Sequence, residues 1–98
     1  MENQDKKAKE LGAVFQVEVE VSENDIAKGY LRKPTRNQMS AALALSQDPI
    51  RSDEVLLKAC LIKEVSDERL ITNDDCFMAV RMQLSKLIEI KQASIKKL

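Results

Sequence analysis

The sequence predicts an α+β fold, mostly α, in which an N-terminal β-hairpin packs on a three-helix bundle. Three features predict it. Phe15, Val17, Val19 and Val21 alternate with Gln16, Glu18 and Glu20, the period of a strand buried on one face. Thr35 with Gln38, and Asp48 with Pro49, spell two helix starts. Phe77, Val80, Leu84, Leu87 and Ile88 follow the spacing of one apolar helix face.

At 98 residues the chain has the size of one domain, since a core this small does not divide into two self-supporting ones. Residues 1–12 read as a polar arm or short helix, with residues 13–98 as a single α+β domain. The hairpin is expected at about 13–33 and the helices at about 35–46, 50–63 and 73–96.

The strand from Ala13 ends at Ser22-Glu23-Asn24-Asp25, which is turn chemistry. Ile26 to Lys33 then reads as the return strand, with Gly29 weakening it or marking a bulge. Two strands alone are marginal in water, so helices must cover the hairpin's apolar face.

Pro34 closes the extended segment and Thr35-Arg36-Asn37-Gln38 fits a capping box. The small residues of Met39-Ser40-Ala41-Ala42-Leu43-Ala44-Leu45 predict a first helix packed on two sides. Asp48 caps the next helix and Pro49 suits its first position, where the missing N–H would be unpaired anyway. Val55 to Ile62 is apolar almost all round, which makes this second helix the expected axis of the core. After a polar connection over residues 64–69, Thr72 is the expected cap of the third helix, with Asp74 and Asp75 complementing its dipole.

Composition narrows the chemistry. The chain has no histidine, the commonest general acid or base near neutral pH. Cys60 and Cys76 are isolated, without the paired spacing of a zinc site, and sit in apolar surroundings that suit reduced packing thiols. The carboxylate pairs Asp53-Glu54 and Asp74-Asp75 fall at helix starts, where the dipole accounts for them. Gly12 and Gly29 are too far apart to form a phosphate loop. The expectation is therefore a non-enzymatic protein with no catalytic residues, no metal and no cofactor.

Sixteen basic residues balance sixteen acidic ones, so no net field draws the chain to nucleic acid or to an anionic membrane. No run reaches the roughly 20 apolar residues of a membrane span, and the first residues lack the apolar segment of a signal peptide, so the expected compartment is the cytoplasm. The expected partner is a protein. Its candidate contacts are Tyr30, Arg32, Lys33 and Arg36, an aromatic with a polar rim, together with the exposed flank of the third helix. The same basic cluster also raises the alternative of a small nucleic-acid-binding regulator.

The runs Tyr30-Leu31-Arg32-Lys33-Pro34-Thr35-Arg36, Met39-Ser40-Ala41-Ala42 and Asp48-Pro49-Ile50 resemble the small tail assembly chaperones of phages and prophages of gut bacteria. Glu54 to Leu61, Ile71 to Phe77 and Gln83 to Lys91 are similar to that family in order and spacing. The resemblance spans about Val14 to Leu98 and rests on strand, cap and core patterns. It implies a protein of the bacterial host cytoplasm that binds the phage tape measure and tail tube proteins during tail morphogenesis. A structural tail or head-completion protein is the alternative within the same setting.

Overall fold

The computed structural model of the chain describes residues 2–87 and 92–98. It is a small α+β protein with one two-stranded antiparallel hairpin. Helix α1 (Glu2–Glu10) precedes strands β1 (Phe15–Ser22) and β2 (Asp25–Leu31). Helices α2 (Arg36–Leu43), α3 (Pro49–Cys60), α4 (Arg69–Thr72) and α5 (Asp74–Arg81) follow, with 3-10 turns at Lys63–Val65 and Leu84–Leu87. Among the described residues the helical part is thus divided into five α-helices rather than three.

The hairpin stands where the alternation puts it. Phe15 pairs with Leu31, Val17 with Gly29 and Val19 with Ala27. These residues share one face, and Val17, Ala27 and Leu31 are buried in the main core. The irregular pairing lies between Glu20 and Ser22, next to the turn, and not at Gly29. Asn24 takes φ 64° in that turn, a left-handed conformation that its short polar side chain tolerates. Gly29 meets a different need. A Cβ there would overlap Leu70 Cδ1 and lie 3.0 Å from Leu61 Cδ1, so the core approaches the bare backbone.

The main core joins the hairpin to Leu56, Leu57 and Cys60 of α3, Leu70 of α4, Cys76, Phe77 and Val80 of α5, and Leu84 and Leu87 beyond it. Helix α3 packs on α2 and, less closely, on α4 and α5, while α4 and α5 lie against the strands; it ends at Cys60 rather than at about 63, so Leu61 and Ile62 of the apolar run lie beyond it. Asp48 caps it by accepting from the Arg51 N–H at 3.2 Å, with Pro49 at its first position. The capping box at Thr35 and Gln38 is formed, with reciprocal bonds of 3.2 and 2.9 Å.

Of the two forms expected for the polar N-terminal stretch, arm or short helix, it takes the helix, and the helix is docked: Ala8 is fully buried with Tyr30, Ile62 and Val65 in a second apolar cluster. Glycine ends α1. Ala13 N–H donates to the Ala8 carbonyl at 2.9 Å and Gly12 N–H to that of Lys9 at 3.0 Å, with Gly12 at φ 95°. Helix α2 buries only Ala42, against α3, so it is packed on one side.

The connection at 64–69 is also part of the fold. Val65 and Leu70 are buried, and the Ile62 N–H donates to the Tyr30 carbonyl at 2.9 Å. Helix α5 is capped by Asn73, whose side chain accepts from the Cys76 N–H at 3.0 Å, and not by Thr72, whose hydroxyl donates to the Glu68 carbonyl at 3.1 Å. The third helix expected at 73–96 ends instead at Arg81. Leu84 and Leu87 turn inward from a 3-10 turn, in which positions three apart eclipse. Residues 92–98 have no regular structure, and the stretch 88–91 of the expected helix lies outside the described residues.

Candidate functional site, an apolar groove between α2, α3 and α5

The hairpin of α2 and α3 is held at its turn by Ser52, whose hydroxyl donates to the Ala42 carbonyl at 2.7 Å. The end of α5 is tied to α3 by an ion pair between the Arg81 guanidinium and the Asp53 carboxylate. Between them lies a hollow of about 480 Å³, lined by Met39, Ala42, Leu43, Leu56 and Leu84, with Ser52, Asp53, Arg81 and Ser85 also on its wall. Leu43 is 70% exposed. An apolar hollow with a few fixed polar groups at its edge is the form a protein or ligand site takes.

Arg36, Met39 and Leu43 recur at i, i+3 and i+7 along α2, so Arg36 lies on the groove-lining face of that helix, at its N-terminal end. Met78 on α5 and Met82 just past its end are further exposed apolar side chains, at 43% and 77% exposure. Methionine stems adapt to varied partner surfaces.

The other expected contact residues are placed differently. Tyr30 is only 4% exposed, on the hairpin face opposite the main core. Its N–H donates to Ser66 Oγ at 2.9 Å and its hydroxyl donates to the Asp5 carboxylate. Tyr30 thus pins α1 to the domain and offers no aromatic surface to a partner. Arg32 is exposed, but its Nε donates to the Leu11 carbonyl at 2.8 Å, behind α1. Lys33 is exposed, and so is Arg36. Of the four residues, Arg36 alone shares an element with the groove lining.

The bond to Asp5 pushes the Tyr30 phenol up to about 12, from an ordinary value of 10.0, with burial adding to the effect. A raised phenol stabilises the fold fully below pH 10.0 and loses that contribution as the pH climbs toward about 12. Between those values the hold of Tyr30 on α1 weakens, and the melting temperature is expected to fall as the pH rises. Tyr30→Phe should abolish that alkaline dependence.

A cluster missed by the sequence reading ties the hairpin tip to α4. Arg69 donates to both Asp25 oxygens at 2.9 and 3.0 Å and to Asp67 at 2.8 Å. Its guanidinium holds both carboxyls below their ordinary 3.8, chiefly through these hydrogen bonds. Carboxyls depressed in the fold contribute stability above about pH 3.8 that disappears as the pH falls through their folded values. Arg69→Gln is therefore expected to raise the pH midpoint of acid unfolding. Only the acidic residues two apart from Arg69 and at the turn hinted at this cluster.

Cys60 and Cys76 are free and buried, and burial pushes the Cys60 thiol up, away from the nucleophilic thiolate. Among the described residues no group of three or more cysteine, aspartate or glutamate side chains is arranged to hold a metal ion, and no helix is long and apolar enough to cross a membrane. No protein-family model matches the chain, and neither a curated protein nor a solved structure matches it.

Proposed function

We propose that the chain is a protein-binding module of the tail-assembly-chaperone kind, engaging tape measure and tail tube proteins during tail morphogenesis without catalysis. The observation that carries this reading is the groove of Met39, Leu43, Leu56 and Leu84, open beside an exposed Leu43 and edged by the Asp53–Arg81 pair. Such a groove suits the apolar face of an amphipathic helix, the repeating element of a long helical client. The resemblance read from Tyr30 to Arg36 and from Glu54 to Leu61 supports the choice of client.

The test is co-expression with each tail protein encoded beside the gene, followed by affinity capture. The tape measure segment should be retained by the native chain and lost with Leu43→Asp, by about tenfold or more in affinity, because a charge would be buried against the client's apolar face. Leu43 is exposed, so the variant should melt at the native temperature. Capture unchanged by Leu43→Asp, or no tail protein retained at all, would count against the reading.

A further inference from the structure

The two edges of the hairpin differ. The outer edge of β2 is covered: Arg32 N–H donates to the Cys60 carbonyl, Ile62 N–H to that of Tyr30 and Asp67 N–H to that of Lys28, each at 2.8–2.9 Å. The outer edge of β1 carries no backbone hydrogen bond to any other segment among the described residues. A hollow of about 280 Å³ adjoins the first half of β1, lined by Phe15 to Glu18 and, toward the core, by Leu31, Val80, Leu84 and Leu87, with Gln83 and Lys86 also on its wall.

An open edge is a template for one more strand. The exposed face of β1 carries Glu18 and Glu20. Pairing β1 with β1 of another copy would bring these carboxylates together, which disfavours that contact. The complementary segment is at the other end of the chain. Residues 92–98 have no regular structure, and they carry Lys96 and Lys97 beside Ile95, which is 100% exposed and so lies off its own chain's groove. Laid out as a strand, seven residues span about 23 Å, close to the length of β1. By strand alternation Ala93, Ile95 and Lys97 would then share the face of the hollow, with Lys97 at its end, and Ser94 and Lys96 the face of Glu18 and Glu20.

We propose that the open edge of β1 takes residues 92–98 of a second copy of this chain as a third strand. Reciprocal exchange closes a dimer, with the tail of each copy on the hairpin of the other.

The test uses sedimentation of the full chain across a concentration series at low salt. The native protein should shift reversibly from its 11.1 kDa monomer toward twice that mass. Lys96→Glu, on the face of Glu18 and Glu20, should weaken association by about tenfold or more, and so should Glu18→Lys/Glu20→Lys. Mixing the two variants should restore it, because each tail then meets an edge of opposite charge. Ile95→Asp should abolish it without changing the melting temperature. A protein monomeric at all concentrations would overturn the proposal, whether its tail amides were protected by folding back or left open. So would a dimer insensitive to all three changes, or charge variants that fail to rescue each other.

Discussion

Leu57→Ala is expected to lower the unfolding free energy by about 2–5 kcal/mol, because it empties a fully enclosed site on α3. Leu57 has no exposed surface and belongs to the main core that α3 shares with the hairpin, α4 and α5. A domain of this length has a total stability of about 5–15 kcal/mol, so this one change removes a large share of it. Urea titration measures the effect as a drop in the midpoint with little change in slope. Met82→Ala, at a side chain 77% exposed, is the control and should stay within about 0.5 kcal/mol of the native protein. Equal effects at both positions would mean that Leu57 is not enclosed by the core.

Gly29→Val should destabilise the fold by about 1–3 kcal/mol, although valine is the better strand former by propensity. The added carbons would enter space held by the side-chain ends of Leu70 and Leu61, both buried, which would have to shift to admit them. A second substitution separates overlap from other causes. With Leu70→Ala in place, Gly29→Val should cost less than it does alone, giving a coupling in the cycle of the four proteins. Independent effects would show that the backbone does not approach Leu70 as closely as the structure places it.

The elements readable from the sequence are those whose determinants are local. The alternation of Phe15, Val17 and Val19 needs only the strand period, and the caps at Thr35 and Asp48 need only residues three apart. Helix α1 was legible only as one of two options, arm or short helix, because what fixes it is remote: Gln4 donates to the Val65 carbonyl at 2.8 Å, across 61 positions of chain. Its nine residues offer only Ala8 to a core.

The extent of α5 was misread for a different reason. Leu84 and Leu87 are three apart, a spacing that fits an α-helix and a 3-10 turn alike, so periodicity did not locate the end at Arg81. The same ambiguity hid the groove. Met39 and Leu43 are spaced as core residues, and only the one-sided packing of α2 leaves Leu43 outside. Tyr30 erred in the opposite direction: an aromatic beside arginines suggests a contact surface, whereas alternation along β2 sends it to the face that α1 closes.

The hairpin separates two apolar clusters, with Ala27 and Leu31 facing one and Tyr30 the other. A slip of one residue in β2 would drive the phenol ring into space shaped for a bare glycine and strand Leu31 under α1. Each cluster therefore rejects the misaligned pairing by itself, and a short ribbon with only two strands acquires a single alignment that its own hydrogen bonds could not enforce.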